Sequence, residues 1–316
     1  MKIIDHIKNS NKTLFSIEVL PPKKGENINT IFETIDELKE FNPSFIDVTY
    51  HREEMTYVDD LEKGKRIKKV RKRPGTVAIS AAIQNKFQID AVPHIICGGF
   101  SKDDTEYALI DLHFLGIDNI LALQGDSLKN EKSFTPSDGG NFYASDLVNQ
   151  IVDLNNGKYL DNIDCGLNTD FCIGVSGYPE KHFEAVSLDV DLKYLKQKID
   201  LGAEFIVTQM FFNNQKYFSF VKKCREIGIN VPIIPGLKPL GTQSQIDLLP
   251  KVFFIDIPQE LKKEALLCKN NTMVKQLGVE WCTNQCKELI KENVPVLHFY
   301  TMSNSETTKK VAEKLF

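Results

Sequence analysis

The feature that most constrains the fold is a regular alternation of short β-rich runs with longer amphipathic runs. Eight short runs are rich in branched and apolar residues, and they cover residues 14–20, 45–50, 92–97, 119–124, 172–177, 205–210, 231–236 and 296–300. Several are apolar almost throughout, which is typical of strands that are covered on both faces. The alternation therefore predicts a parallel sheet whose strands are joined by crossover helices.

The longer runs between the strands show helical spacing. Ile28, Ile31, Ile35 and Leu38 form one apolar stripe, and further periodic runs cover residues 105–116, 189–203 and 270–291. Eight strands with intervening helices in 316 residues predict an α/β fold, a single (β/α)8 TIM barrel that spans residues 1–316 as one domain. A doubly wound open sheet is the alternative. It usually carries a glycine-rich phosphate turn after its first strand, where this chain has PPKKGEN.

One stretch departs from the simple alternation. Residues 51–91 form a predicted extended loop that contains a basic run, KGKRIKKVRKR, at 63–73. The basic run is most simply explained as the solvated face of a helix, and contact with a cofactor phosphate or a partner is the other interpretation. The segment that follows, PGTVAISAAIQNKF, is expected to add a strand and a short helix within this loop.

Composition and charge exclude several classes of protein. The net charge of -4 shows no basic excess, so a nucleic-acid partner is not expected. No apolar run is long enough to span a membrane, and the first residues lack the features of a secretory signal. The seven cysteines (Cys97, Cys165, Cys172, Cys224, Cys268, Cys282 and Cys286) form no CxxC pair, which is typical of reduced thiols in a cytoplasmic protein.

Barrel active sites lie at the C-terminal ends of the strands, so the candidate site residues are sought there. Glu18 lies in an apolar first strand that ends at Pro21-Pro22. A carboxylate in such a strand is either satisfied by local hydrogen bonds or is a general acid whose pKa is raised by burial. His94, in the third strand, has no second ligand at metal spacing, so no metal is assigned.

The other strand ends supply polar groups but no redox centre. The fourth ends in Gln124-Gly125-Asp126, which suits close backbone approach to a ligand together with one charged contact. The sixth ends in Thr208-Gln209, followed by Met210-Phe211-Phe212, which belong either to the core or to a stacking wall for a flat ligand. An organic cofactor would supply chemistry that these side chains lack. From the residues alone, a barrel enzyme and a barrel-like binding protein both remain open.

Nine segments, in order along nearly the whole chain, carry a family resemblance. They are IEVLPPK (17–23), DVTY (47–50), VPHIICGG (92–99), ILALQGD (120–126), FYASDLV (142–148), GVSGYPEKH (174–182), LKQKIDLGAEFIVTQMFF (195–212), PIIPGLKP (232–239) and LHFYTMS (297–303). With these segments, the sequence resembles the methylenetetrahydrofolate reductase family in its short bacterial form, which has the catalytic domain only. The family fold is the same eight-stranded barrel.

The resemblance implies a flavin-dependent reduction of 5,10-methylenetetrahydrofolate to 5-methyltetrahydrofolate, with FAD reduced by NADH or NADPH in a ping-pong sequence. Glu18 matches the family's acid, which protonates the leaving folate nitrogen. Asp126 matches a carboxylate beside the flavin and the pterin. Thr49, Gln209 and Gln245 match substrate-binding positions. The reaction feeds methionine synthesis and one-carbon metabolism.

The resemblance also implies a set of FAD-binding positions, in which Lys198 pairs with the pyrophosphate and Asp191 accepts from an adenosine hydroxyl. The set is Tyr50, His94, Gln124, Gly125, Asp126, Tyr143, Ala144, Tyr178, His182, Ala185, Asp191, Tyr194, Gln197 and Lys198. The chain departs from the family at three positions. Gln124 stands where many members have arginine, Gln197 replaces a basic residue, and Asn304 replaces an arginine that helps to bind folate in some members.

The expected partners are the two small-molecule substrates, and the resemblance implies a homo-oligomer. Two other classes of function are kept open. Another folate or flavin barrel would carry FMN or fail to oxidise NADH. A non-catalytic binding subunit would have no need for an acid buried in a strand, so the joint presence of Glu18, Asp126 and Gln209 argues against it.

Overall fold

The computed structural model describes residues 1–60, 64–128, 131, 133–161, 167–302 and 304–316. All eight predicted barrel strands are found, although most end a residue or two earlier. In chain order the strands are β1 (Leu14–Val19), β2 (Phe45–Val48), β3 (Glu54–Asp60), β4 (Gly64–Val70), β5 (Asp90–Ile96), β6 (Asn119–Leu123), β7 (Cys172–Gly177), β8 (Phe205–Thr208), β9 (Ile233–Ile234), β10 (Gly236–Leu237) and β11 (Val296–Tyr300).

Helices follow the strands as the periodic runs predict. They are α1 (Ile3–Lys8), α2 (Asn29–Asp36), α3 (Thr76–Phe87), α4 (Lys102–Phe114), α5 (Ala144–Asn155), α6 (Leu188–Asp200), α7 (Asn214–Glu226), α8 (Gln245–Phe253), α9 (Gln259–Leu267), α10 (Asn271–Lys291) and α11 (Glu306–Ala312), with a 3-10 turn at Lys39–Phe41. Ser101 begins α4 with a reciprocal capping box to Asp104, which satisfies two backbone donors.

The sheet closes into a barrel. Its strands follow the order β10-β11-β1-β2-β5-β6-β7-β8-β9, and all neighbours are parallel. The two ends, β9 and β10, are consecutive in the chain and separated only by Pro235, so the chain itself completes the ring. Counting the interrupted strand once gives eight barrel strands. The predicted (β/α)8 fold is confirmed.

Alternation along the strands divides the core into two layers. Side chains such as Ile17, Ile46 and Val175 point outward and pack against the helices. Phe45, Val92, Cys172, Phe205 and Val296 point inward and fill the lower half of the barrel. Because successive side chains of a strand point to opposite faces of the sheet, each strand contributes to both layers.

A short helix closes the lower end of the barrel. Ile3 of α1 is fully buried among the inward-pointing side chains, with Ile4 and Ile7 beside it. The backbone N–H of Ile3 donates to Asn119 Oδ1 at 2.8 Å, and the amino terminus pairs with Asp90 at 2.6 Å. The C-terminal ends of the strands lie at the opposite end of the barrel.

The interpretation of the basic run as a helix face is wrong. Residues 64–70 form β4, which pairs antiparallel with β3 in a hairpin that stands apart from the barrel sheet. The middle of the partner strand, Thr-Tyr-Val at 56–58, favours the extended conformation, and charges are paired near the base of the hairpin, as in Lys72–Glu54 at 2.6 Å. Pairing with β3 therefore outweighs the helical tendency of the lysines. Lys63 lies outside the described residues.

The strand expected after the basic run, in residues 74–87, is also not formed. Residues 76–87 are helical throughout as α3, which is the crossover from β2 to β5. Ile79 and Ile83 lie one turn apart and are buried, so helical packing on the sheet decides the structure of this alanine-containing segment.

Six cysteines lie in the described part of the chain, and all six are free thiols, five of them buried. Cys165 lies outside the described residues. The helices of the described residues include none with the length and apolar character needed to cross a bilayer.

The inner packing predicts one sharp intolerance. A Cβ atom on Gly174 would lie 2.2 Å from the ring of Phe205, whereas one on Gly241 would meet only a side-chain oxygen at 3.7 Å. We expect Gly174→Ala to lower the free energy of unfolding by about 1–3 kcal/mol, because the buried ring must shift. Gly241→Ala is the matched control. Equal urea midpoints for the two variants would contradict this account of the barrel interior.

Candidate active site

The upper half of the barrel interior is polar, in contrast to the apolar lower half. The same alternation that sends Phe45 and Val92 inward sends Asp47 and His94 inward one step further along β2 and β5. On β11, His298 follows Val296 on the inner face, and Tyr300 follows His298. These side chains gather at the C-terminal ends of the strands, which is where barrel enzymes place their sites.

Glu18 lies at the top of β1, level with Asp47 on β2 and Tyr300 on β11. Ile17 and Val19 point outward into the core, so Glu18 points inward, and its side chain is 14% exposed. Burial raises the pKa of Glu18 to about 7. Burial is the largest cause of this shift, His94 and Lys238 oppose it, and the charge of Asp47 contributes to it. The carboxyl group is therefore protonated in a large fraction of molecules near neutral pH.

His94 Nε2 lies between two carboxylates. It is 3.6 Å from Glu18 Oε2 and 3.4 Å from Asp47 Oδ2, and Asp47 is fully buried. Burial opposes the charged form of His94, but the hydrogen bond to Asp47 and the charge of Glu18 outweigh it and raise the pKa of His94. The structure thus brings together Glu18 and His94, two residues that the sequence placed on separate strands.

His298 continues the cluster into the barrel. Its Nε2 atom lies 3.9 Å from Asp47 Oδ2, and its Nδ1 atom lies 2.9 Å from Ser16 Oγ. Burial lowers the pKa of His298, an effect that Asp47 partly opposes. Asp47 Oδ1 and His298 Nε2 are buried without a hydrogen-bond partner. The sequence analysis missed Asp47 and His298, which the period-two register of their strands could have found.

The cluster also has the atoms of a metal site, since ligand-type atoms of Glu18, Asp47 and His298 lie within 4.8 Å of one another. Asp47 Oδ2 already has His94 Nε2 as a hydrogen-bond partner at 3.4 Å, and we assign no metal to the cluster.

Lys238 and Tyr300 complete the surroundings of Glu18. Lys238 follows β10 and is 7% exposed, and burial lowers its pKa to about 8, while the charges of Cys282 and Glu18 oppose the shift. Tyr300 donates to the carbonyl of Thr208 at 2.7 Å. The ring of Tyr300 occupies the space that a Cβ atom on Gly236 would need. Sequence reasoning did not single out Lys238 or Tyr300.

A second group of predicted residues meets at the ends of β7 and α6. The ring centroids of Tyr178 and His182 are 4.6 Å apart, and the His182 backbone N–H donates to Asp191 Oδ2 at 2.8 Å. Lys198 Nζ donates to the carbonyl of Ser176 at 3.2 Å. Burial lowers the pKa of Lys198 to about 8, against the charge of Asp191. Burial, together with Lys198 and Lys181, lowers the pKa of His182 to about 4.

The end of β6 forms a third group. Gly125 has a φ of +84°, and a Cβ atom there would lie 3.1 Å from Ile96, so glycine suits this turn. Gln124 Nε2 donates to the carbonyl of Phe142 at 3.0 Å. Arg52, which the sequence did not single out, donates to the Asp126 carbonyl at 3.1 Å and joins the loop after β2 to this turn.

The remaining predicted cofactor positions surround these groups. Tyr143 precedes the first turn of α5 and is 57% exposed, and Tyr194 of α6 is 58% exposed. Ala144 begins α5, Gln197 lies on α6, and Ala185 accepts a hydrogen bond from Lys181 at its carbonyl. Tyr50 packs against Phe100 at a centroid distance of 5.1 Å.

These surroundings fit a flavin dinucleotide. Two exposed aromatic side chains offer flat apolar surface. The N-termini of α5 and α6, with the ammonium group of Lys198, offer positive ends for a pyrophosphate. Asp191 offers a carboxylate to a ribose hydroxyl. The fit rests on the exposed rings of Tyr143 and Tyr194 and on the buried Lys198, whose ammonium group donates to a backbone carbonyl.

The predicted substrate positions lie in loops at the same end of the barrel. Thr49 follows β2, and its backbone N–H donates to Val19 at 3.1 Å. Gln209 follows β8, and its side-chain oxygen accepts from Met210 at 2.9 Å. Gln245 accepts from the backbone of Gly241 at 2.7 Å, which orders the turn before α8. Within the described residues, neither glutamine donates a hydrogen bond from its side-chain NH2 group.

The three residues after Gln209 belong to the core. Met210, Phe211 and Phe212 are 3%, 1% and 3% exposed, so the interpretation as core residues is right and the stacking-wall alternative is wrong. Asn304 accepts from the backbone N–H of Glu306 at the start of α11, 3.0 Å away. Its neighbour Ser303 lies outside the described residues.

The fold and this cluster define an α/β barrel protein with a buried, protonatable carboxyl group at its mouth. The family model for methylenetetrahydrofolate reductase matches residues 2–316. The chain therefore belongs to the methylenetetrahydrofolate reductase family, as the sequence resemblance predicts.

Individual relatives agree with this assignment. The chain is 33% identical to methylenetetrahydrofolate reductase (NADH) 1 of Arabidopsis thaliana, over 96% of this chain and 49% of the plant protein. It is 29% identical to 5,10-methylenetetrahydrofolate reductase of Salmonella typhimurium, over 95% of this chain and 90% of the bacterial protein. The chain thus spans about half the length of the plant and fungal relatives it matches.

A solved structure shares the fold. An uncharacterised Clostridium thermocellum protein that binds two copies of 5-methyl-5,6,7,8-tetrahydrofolic acid superposes with a TM-score of 0.59 at 15% identity, over 99% of this chain and 97% of the other. At that identity the similarity bears on the barrel fold alone.

The raised pKa of Glu18 predicts a pH-dependent stability difference. In the folded protein Glu18 loses its proton near pH 7, whereas in the unfolded chain it does so near 4.5, so its burial costs more stability as the pH rises between these values. The variant Glu18→Gln lacks this ionisation. The difference in free energy of unfolding between Glu18→Gln and the parent should therefore change in favour of the variant by about 2 kcal/mol from about pH 5 to about pH 8.

Urea unfolding at both pH values measures this difference. Glu33→Gln, at an exposed position of α2, is the control and should show no such gain. A Glu18→Gln difference that is the same at both pH values would mean that Glu18 is not held protonated by the fold.

Proposed function

We propose that the chain reduces 5,10-methylenetetrahydrofolate to 5-methyltetrahydrofolate with electrons from NADH or NADPH. The observation that carries the proposal is Glu18, a carboxyl group with a pKa of about 7 at the mouth of the barrel. Family membership gives the reaction, and this group gives the acid that the reaction requires. When bound, FAD supplies the hydride transfer that no side chain of the chain can perform.

Glu18 is proposed as the general acid. Opening the five-membered ring of the folate requires a proton on the departing nitrogen. A carboxylic acid that is protonated near neutral pH can donate it, whereas an exposed glutamate is ionised there. The limited exposure of the side chain supports this role, because burial is the largest cause of the raised pKa.

Asp126 is proposed to lie beside the flavin. Its carboxylate is proposed to stabilise the cationic folate that forms on ring opening. Support comes from its place after Gly125, where the backbone turns at a positive φ at the end of β6. Preorganised charge aimed at a developing cation is an effective source of transition-state stabilisation. Thr49, Gln209 and Gln245 are proposed to position the substrates through polar contacts.

FAD is proposed to occupy the side of the mouth formed by the ends of β5, β6 and β7 with α5 and α6. Lys198 would hold the pyrophosphate, Asp191 an adenosine hydroxyl, and Tyr143 and Tyr194 would cover apolar faces of the cofactor. The nicotinamide donor and the folate would use the other side in turn, which makes the proposed sequence ping-pong. One relative carries NADH in its name, and this supports a nicotinamide donor.

An anaerobic visible spectrum of the purified protein tests the proposal. After incubation with FAD, we expect an oxidised-flavin band that bleaches on addition of NADH or NADPH and returns on addition of methylenetetrahydrofolate. Bleaching by the donor without recovery would contradict the folate assignment. A protein that takes up no FAD, or that takes up only FMN, would contradict the cofactor assignment.

The role of Glu18 predicts a separation of the two half-reactions. Glu18→Gln should retain FAD and its reduction by the nicotinamide donor, because the amide keeps the shape of the side chain. Reoxidation by methylenetetrahydrofolate should fall by about 100-fold or more, since the proton donor is lost. Stopped-flow absorbance measures both rates, with Glu33→Gln as control. Reoxidation at the parent rate would mean that Glu18 is not the acid.

A further inference from the structure

The arrangement around His94 Nε2 has a consequence for Glu18. A single ring nitrogen faces two carboxylates, with Asp47 Oδ2 at 3.4 Å and Glu18 Oε2 at 3.6 Å. One N–H cannot form a good hydrogen bond with both acceptors at once. Asp47 is the nearer acceptor, and its second oxygen, Oδ1, is buried without a partner. In the unliganded protein the N–H of His94 is therefore directed more to Asp47 than to Glu18.

The charges that face Glu18 come from each neighbouring strand. Asp47 on β2 disfavours ionisation of Glu18, while His94 on β5 and Lys238 after β10 favour it. On β11, Tyr300 and His298 are buried and remain uncharged near neutral pH, because burial raises the pKa of Tyr300 and lowers that of His298. Asp47 and Lys238 therefore shift the pKa of Glu18 in opposite directions, Asp47 upward and Lys238 downward.

We propose that Asp47 is a positioning residue that keeps Glu18 protonated, both by its negative charge and by drawing the N–H of His94 away from Glu18, with Lys238 acting in the opposite sense. Two carboxyl groups in close proximity rarely ionise together, and Glu18 is the member whose pKa is raised, to about 7, by burial and by the neighbouring Asp47. The catalytic meaning of this arrangement rests on the function proposed above.

The arrangement also provides for the moment after proton transfer. The proton leaves Glu18 for the folate nitrogen, and Glu18 becomes a carboxylate. His94 keeps its own proton, and its N–H is already within 3.6 Å of the new charge. A small shift of this N–H from Asp47 toward Glu18 would stabilise the ionised Glu18 without water entering the site. Asp47 thus biases the resting state without preventing donation.

An infrared titration of the protein with FAD bound, but without folate, tests the proposal directly. The carbonyl stretching band of a protonated buried carboxyl group is followed against pH, and it is assigned to Glu18 by its loss in Glu18→Gln. In the parent the band should disappear with a midpoint of about 7. Asp47→Asn should lower the midpoint by about one pH unit or more. Lys238→Met should raise it, because a favourable positive charge is lost.

Asp90→Asn is the matched control, since Asp90 begins β5 at the closed end of the barrel and pairs with the amino terminus. Its substitution can reduce stability but should leave the Glu18 midpoint unchanged. If Asp47→Asn does not fold, as judged by circular dichroism, Asp47→Ser is titrated in its place. An unchanged or raised midpoint in the Asp47 variant would overturn the proposal, and so would shifts of the same sign in the Asp47 and Lys238 variants.

The pH dependence of flavin reoxidation by methylenetetrahydrofolate is the second readout. Its decline with rising pH should move in the same direction as the infrared midpoint in each variant. Infrared shifts of opposite sign with no folate activity in the parent would contradict the proposed function and leave the Asp47 inference standing. Folate activity in the parent with no infrared shift in the variants would contradict the Asp47 inference and leave the proposed function standing.

Discussion

The structure depends on the burial of a carboxyl group at the top of a mostly apolar strand, β1. Glu18 is placed there by alternation, since Ile17 and Val19 must face the helices and the remaining side chain must face the barrel. An isolated carboxylate in that position would be costly, and the fold meets the cost by raising the pKa of Glu18 to about 7 and by placing His94 and Lys238 where they favour its ionised form. The chemistry of the site follows from that solution.

The barrel separates two tasks along its axis. Below, Phe45, Phe205 and the helix α1 fill the interior with apolar atoms and provide the stability. Above, the same strands carry polar side chains, and some of their buried atoms, such as Asp47 Oδ1, have no hydrogen-bond partner. The parallel arrangement brings all strand ends to one side, so an acid on β1 and cofactor-binding groups on β6 and β7 share one mouth.

The alternation of strands and helices was sufficient to predict the fold, because parallel strands buried on both faces leave a clear signal. It failed in residues 51–91, where the partner strand β3, and not local propensity, decides that the lysine-rich run is extended. Glu18 and His94 could be found as polar residues within apolar strands. Asp47 and His298 were missed because their importance lies in contacts between strands, which depend on register. Lys238 gave no signal beyond its place near a strand end.

A crystal structure of the protein with FAD and 5-methyltetrahydrofolate is the most direct test of the central claim, that Glu18 is the acid of a folate site at the barrel mouth. The account predicts that the pterin lies against the flavin, with the Glu18 carboxyl group within hydrogen-bond distance of the folate nitrogen that leaves on ring opening, and with Asp126 near the pterin. A folate bound elsewhere, or bound with Glu18 turned toward the barrel interior and out of reach, would contradict the claim.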